Sequence, residues 1–374
     1  MNKEYDIIIF GASGFTGELI CNYLSQHKDK SKIRWAISGR NSKKLNKLSE
    51  KYSINQISAN SFNQESLNAM CAQTELVIST VGPYDIYGEK LVKACINNQS
   101  HYLDLTGEPS FVKKIYNKYA KSAKNNNVII MHCCGFESIP PDLGTYLTVK
   151  ELDSDNIDIT YYLKTKGKIS GGTWASFLNS ITSKQPIIDK NRGDRKDKVK
   201  KLFYSNRFKK WALFFPVIDK YIVMKSSKAF NEYGNNFSFK EYILLPSLFS
   251  AISLILGIGI ISIMGRFNIL RKFLLNRIPS GQGPSLEEQK KHWFKVTVIG
   301  KTDKKEVETV ISGGDPGYGE TSKFISEMAL CILLQKDSLI KKEGILTPVE
   351  CSGDLLKERL INANINISTS KLNN

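Results

Sequence analysis

The sequence predicts an α/β protein: an N-terminal doubly wound parallel sheet, then a second, mixed α+β domain that carries an apolar, membrane-associating segment. Three observations lead there. Apolar runs alternate with helical patterns through the first third of the chain. From Asn156 onward the pattern changes to two-residue alternation, broken by one long uncharged stretch. And 374 residues exceed what one ordinary core fills, so two domains are expected.

Strands are expected at Tyr5–Phe10, Ile33–Ser38, Leu76–Val81, Tyr102–Leu105 and Val128–Cys133, with a weaker one at Ile54–Ser58. Helical patterns lie between them at Gly14–Gln26, Ser42–Lys51, Gln64–Ala72, Gly88–Asn97 and Ser110–Asn125. That alternation means βαβ units and a parallel sheet with helices on both faces. Further on, residues 157–163, 293–299 and 305–313 alternate as strands of a mainly antiparallel sheet do. The expected division is 1–150 for a dinucleotide-binding domain and 151–320 for a substrate and dimerisation-type domain. Residues 321–374 then form a C-terminal helix, Ser322–Gln335, and a frayed Asn-rich tail.

Lys plus Arg number 53 against 36 Asp plus Glu, a formal charge of +17. Such an excess favours an anionic partner: nucleic acid, anionic lipid or a phosphorylated cofactor. No zinc-finger, RNP or helix-turn-helix signal is present, which argues against nucleic acid. Seven cysteines occur without a Cys-x-x-Cys pair, and the four histidines have no metal spacing. Reduced, buried thiols and no metal centre are expected. The opening MNKEYD holds no hydrophobic signal region, so a cytosol-facing protein is expected.

The stretch IIIFGASGFTGELI joins the first strand to the first helix through glycines at 11, 14 and 17. Glycines turn the backbone sharply and let a phosphate approach its N–H groups. Gly11, Ala12, Ser13, Gly14, Phe15, Thr16 and Gly17 are therefore candidates to hold a dinucleotide pyrophosphate. The second strand runs into SGRNSKK with no acid at its end, where NAD sites place one. A guanidinium matches a phosphate in charge and fork geometry, so Arg40 is expected on the 2′-phosphate of NADP(H), with Ser42 and Lys43 as second choices. Thr80, Val81, Gly82 and Pro83 end the fourth strand on the same rim and are expected beside the nicotinamide ribose.

FGASGFTG, ISGRNSKKL, VGPYDIYGEKLVKAC, YLDLTGEP and CGFESIPPDLG follow one another as they do in the saccharopine dehydrogenase-like oxidoreductases, which the chain resembles. The resemblance extends through SGGTWAS, GPSLEEQKKHWFKVTVIG and GGDPGYGETSKFISEMALC, with the basic loop 184–210 and the last 25 or so residues least matched. It implies kinship with the trans-acting enoyl reductases, a Rossmann domain, a mixed second domain and redox chemistry on a lipid-like substrate. Saccharopine itself is not implied, because the basic constellation for a tricarboxylic amino acid cannot be placed.

A proton donor should sit on the carboxyl rim of the sheet. Tyr84 after the fourth strand and Glu108 after the fifth are the candidates, each with a structural alternative, which for Tyr84 is packing under the cofactor. Ser138 and Asp142 read better as a helix cap and a first-turn acid. Tyr146 and Lys150 match Tyr-x-x-x-Lys, but Tyr221 and Lys225 do too, so the pattern discriminates little.

Residues 242–265 are 24 in number and carry no charge, long enough to cross a bilayer by hydropathy alone. A crossing would part the strands at 157–163 and 293–299, which belong to one sheet. The segment is therefore expected to dip in and return, to lie in one leaflet, or to line a lipid-binding cleft. Eleven Lys or Arg within 184–210, and Arg266, Arg271, Lys272 and Arg277 beyond it, suit anionic headgroups. The expectation is a membrane-associated NADP(H)-dependent reductase of lipid metabolism, on a lipid droplet or intracellular membrane, with a homodimer among its expected assemblies. The alternative is a scaffold or redox sensor that keeps the dinucleotide fold without the chemistry.

Overall fold

The computed structural model describes residues 3–168, 170–182, 199–216, 218–278 and 283–372. Its first sheet comprises β1 (Tyr5–Phe10), β2 (Trp35–Gly39), β3 (Gln56–Ser58), β4 (Thr74–Ser79), β5 (His101–Asp104) and β6 (Ile129–Met131). The helices between and after them are α1 (Phe15–Gln26), α2 (Ser42–Tyr52), α3 (Gln64–Cys71), α4 (Tyr84–Asn97), α5 (Pro109–Asn125) and α6 (Ile139–Val149). Ile7, Ile8 and Ile9 are all fully buried, because a parallel strand covered on both faces is apolar throughout.

The second sheet comprises β7 (Asn156–Lys166), β8 (Leu202–Ser205), β9 (Lys210–Phe214), β10 (Asn236–Leu245), β11 (Trp293–Lys301) and β12 (Glu306–Gly313). With them come α7 (Gly171–Thr182), α8 (Asp219–Ser227), α9 (Leu248–Met264), α10 (Asn268–Asn276) and the short α11 (Leu286–Gln289). The chain closes with α12 (Gly319–Leu334), β13 (Gly344–Leu346), α13 (Pro348–Ser352), α14 (Asp354–Asn362) and β14 (Asn366–Leu372).

The first sheet is parallel in the order β13-β6-β5-β4-β1-β2-β3. The second runs β14-β12-β11-β7-β10-β9-β8, antiparallel except where β10 lies parallel to β7. Helix α6 is buried along its whole length and packs on β11 and β12, so it lies between the layers.

The residues beyond 320 differ from the expected helix and frayed tail. After α12, β13 joins the first sheet beside β6 and β14 pairs with β12, so both sheets recruit the C-terminal part of the chain. Pairing with β14 covers an edge that β12 would otherwise expose. The Glu327 carboxylate fixes the return: it accepts the Tyr23 hydroxyl at 2.6 Å and Arg359 Nε at 2.7 Å, joining α1, α12 and α14.

The uncharged stretch is also divided. Residues 242–245 finish β10, Pro246 follows, and a capping box between Ser247 and Ser250 starts α9. Proline cannot continue the ladder, and the serine pair satisfies N–H groups at the new helix start. Among the described residues no helix is long and apolar enough to cross a membrane. The basic residues 184–198 lie outside the described residues.

Buried Asp142 in α6 accepts the Val349 N–H at 3.2 Å. Burial pushes its carboxyl up to about 7, above its unfolded value. Its contribution to stability is therefore complete below the unfolded value near 4 and is lost as pH rises through about 7. Asp142→Asn should stabilise the fold by roughly 2–4 kcal/mol at pH 8 and keep less than half of that advantage at pH 5, as read by thermal unfolding at the two pH values.

Candidate functional site: a dinucleotide cavity on the sheet rim

The carboxyl ends of β1, β2, β3 and β4 open on a cavity of about 560 Å³. Its floor is the turn from β1 to α1. Gly11 has φ +89°, in the region that favours glycine, and a Cβ there would stand 2.6 Å from Val81 Cγ2 and 2.7 Å from Thr80 Oγ1. A Cβ on Gly17 would stand 2.4 Å from the Gly11 carbonyl oxygen. Gly14 precedes α1 without a side-chain cap, so the first N–H groups of that helix are free to bind an anion. The cradle that a pyrophosphate requires is therefore present and would be filled by any larger residue.

Of the sequence candidates, Gly11, Ser13, Gly14, Phe15, Thr16, Gly17, Arg40, Thr80, Val81, Gly82 and Pro83 all line the cavity. Ala12 does not: its side chain is fully buried in the core beneath the turn. Ser42 and Lys43 give way to Asn41 and Lys44, because α2 begins at Ser42 and its first turn brings Lys44 round to the cavity. Asn41 caps that helix by accepting the Lys44 N–H at 3.1 Å.

Sequence reasoning missed two further walls. Asn60, Ser61 and Phe62 follow β3, and the Phe62 ring meets Tyr87 edge-on at 5.3 Å. Ser170, Gly172 and Ala175 come from the second domain, at the start of α7. Aromatic pairing of Phe62 with a residue 25 positions on leaves no local trace in sequence. The exposed turn after β3 could have been flagged by its position on the rim.

Tyr84 and Glu108 both lie at the β4–β5 end of this rim, as expected, but their polar atoms are engaged. The Tyr84 hydroxyl donates to the Ser79 carbonyl at 3.1 Å and accepts the Leu105 N–H at 3.3 Å. Burial pushes its phenol well above its usual value. Glu108 Oε1 accepts the Tyr84 N–H and the Ser176 hydroxyl, each at 2.9 Å, and Oε2 accepts the Asp85 N–H at 3.1 Å. Burial raises its carboxyl while these donors oppose the rise. Pro83 has no side-chain cap for α4, and Glu108 supplies one from the neighbouring loop. Both residues thus hold the rim together. Glu108→Gln leaves one acceptor oxygen for three donors and should cost about 1–3 kcal/mol of stability, measured as the shift of the denaturation midpoint.

Glu137 lies on the turn after β6 and was not singled out by sequence. Its Oε2 is buried without a hydrogen-bond partner, and burial raises its carboxyl. Tyr146 and Lys150 are placed away from the cavity: the Tyr146 ring packs on Phe230 at 5.4 Å and Lys150 pairs with Asp354.

Residues 7–131 match the family model described as the saccharopine dehydrogenase NADP-binding domain. A dinucleotide cavity with Arg40 and Lys44 beyond its second strand suits NADP(H), and the protein is an oxidoreductase that uses that cofactor. The chain is 29% identical to a lipid droplet localized protein of Caenorhabditis elegans, over 94% of this chain and 95% of that protein. It is 26% identical to a trans-acting enoyl reductase of Mycobacterium leprae over 99% of each, and 26% identical to a saccharopine dehydrogenase-like oxidoreductase of Homo sapiens over 92% of each. Saccharopine dehydrogenase (L-Glu forming) of Saccharomyces cerevisiae shares the fold across 99% of this chain and all of its own, with a TM-score of 0.56 at 12% identity. Residues 7–131 thus match a saccharopine dehydrogenase NADP-binding domain, and along nearly its whole length the chain is similar to the saccharopine dehydrogenase-like oxidoreductases.

Proposed function

We propose that the protein is a membrane-associated, NADPH-dependent reductase of a lipid or lipid-like substrate. The observation that carries this reading is the surface of α9 and α10. Eleven of the nineteen exposed large apolar side chains among the described residues fall within 248–273, with Phe249 79% and Ile269 83% exposed. Apolar surface so concentrated marks an interaction site. From residue 242 to 286 the chain has no acid, while Arg266, Arg271, Lys272 and Arg277 supply positive charge. Apolar insertion beside cations suits an anionic phospholipid leaflet.

Helix α9 has 17 residues, about 25 Å, short of the roughly 30 Å hydrocarbon core. It therefore lies in one leaflet rather than spanning. Two relatives support this reading by name: a lipid droplet localized protein supports the lipid surface, and a trans-acting enoyl reductase supports reduction of an enoyl group.

Bound NADPH supplies a hydride. The glycine turn and Arg40 would hold the cofactor, with Thr80 to Pro83 on the same cavity wall. Tyr84 and Glu108 act as positioning residues, fixing the ends of β4 and β5. Reduction of an acyl-conjugated double bond would take the hydride at one carbon and a solvent-derived proton at its neighbour. The test is NADPH consumption with α,β-unsaturated acyl lipids presented in phosphatidylserine-containing vesicles, together with vesicle flotation. Flotation with consumption is expected, and Phe249→Ser with Ile269→Ser should cut flotation at least tenfold. Absence of flotation would overturn the lipid-surface reading, and binding of NADPH without consumption on any such lipid would overturn the substrate class.

A further inference from the structure

Helix α7 faces two ways. Gly172 and Ala175 line the cofactor cavity with Ser170 before them, and the Ser176 hydroxyl donates to Glu108 on the rim at 2.9 Å. These positions recur at three and four residues and form one stripe. The rest of the helix holds the lipid-facing pair. Trp174 Nε1–H donates to the Leu274 carbonyl at 2.6 Å. Ser262 Oγ donates to the Ile181 carbonyl at 3.2 Å. Arg271 reaches back with Nη1 to Thr182 Oγ1 at 3.1 Å and with Nη2 to Asn179 Oδ1. At Gly265, between α9 and α10, a Cβ would stand 2.6 Å from Thr182 Cγ2, so the turn rests directly on the end of α7.

We propose that α7 links two binding events: the seating of α9 and α10 in an anionic phospholipid leaflet, and the holding of NADPH in the cavity. The proposal rests on the lipid-surface reading above. In water, α9 and α10 bury only Ala251 and Leu274 among their described residues. Elements with so few buried apolar contacts open at low free energy. A leaflet covers their outer face and orders the pair. The hydrogen bonds at Trp174, Asn179, Ile181 and Thr182 pass that order to α7, whose other stripe is a wall of the cavity. A wall already ordered reduces what NADPH must order on binding. Linkage is reciprocal, so NADPH strengthens leaflet binding by the same factor that the leaflet strengthens NADPH binding.

The experiment uses the full chain and two probes: NADPH, and vesicles of phosphatidylcholine with phosphatidylserine. Nicotinamide fluorescence gives the NADPH Kd with and without vesicles, and flotation gives the vesicle partition with and without NADPH. At least a threefold tightening in each direction is expected, with equal factors. Hydrogen exchange should show residues 171–182 more protected on vesicles before any cofactor is added. Trp174→Phe, which removes the donor to Leu274, should still float but lose the tightening. A protein that floats with an unchanged NADPH Kd overturns the link and leaves the lipid-surface reading standing; one that does not float overturns both. Unchanged protection of 171–182, or a full tightening retained by Trp174→Phe, removes α7 as the connection.

Discussion

Arg40→Ala will weaken NADPH binding at least tenfold and leave NADH binding almost unchanged. Arg40 follows the last residue of β2 and lines the cavity with Lys44. No carboxylate pairs with it among the described residues, and no acid stands where an NAD site would present one to the ribose. A guanidinium so placed is available for a phosphate, and a charge-assisted bidentate contact is worth more than the roughly 1.4 kcal/mol that a tenfold change represents. NADH lacks the 2′-phosphate and has nothing to lose. Fluorescence titration of both cofactors is the measurement, and equal losses would place the 2′-phosphate elsewhere.

Gly11→Ala is expected to abolish binding of both cofactors, with at least a hundredfold rise in each Kd. The residue has φ +89°, and the new Cβ would fall 2.6 Å from Val81 and 2.7 Å from Thr80. Thr80 cannot simply move aside, since its hydroxyl lies 3.2 Å and 3.1 Å from the Phe10 and Gly11 carbonyl oxygens. Strain at a left-handed residue and overpacking each cost about 1–3 kcal/mol, and both act on the atoms that face the pyrophosphate. A fall of several degrees in Tm should accompany the loss. A variant with near-normal Kd values for both cofactors would show that the turn does not approach the pyrophosphate closely.

The legible part of this protein is the part whose signals are local. The run from Ile7 to Ile9, the three glycines and the following helix are neighbours in sequence, so their spacing alone predicts the turn and its ligand. The missing acid after β2 is likewise a fact of a few residues, and it points to Arg40. The start of the next helix at Ser42 was legible as well; that its first turn brings Lys44, rather than Lys43, to the cavity was not. Phe62 escaped notice because β3 has only three residues, with mostly exposed side chains.

Tyr84 and Glu108 show the same limit from the other side. Their places on the rim could be read from strand order. Their hydrogen bonds to Ser79, Leu105, Asp85 and Ser176 come from other parts of the chain and turn two candidate donors into supports. The division of the apolar stretch and the pairing of the tail were hidden for a related reason. Hydropathy summed over 242–265 does not register that four of its residues belong to a sheet, and a polar tail betrays no edge strand waiting for it.

The sequence by itself determined six of the seven strands of the first sheet, the pyrophosphate turn and the choice of NADP(H), because each is written in residues close together in the chain. The tertiary structure decided which walls close the cavity, which carboxyls are engaged and how the apolar helices meet α7. Those outcomes depend on contacts between residues tens to hundreds of positions apart, such as Ser176 with Glu108 and Leu274 with Trp174. Distances of that kind are set by packing, and local spacing carries no record of them.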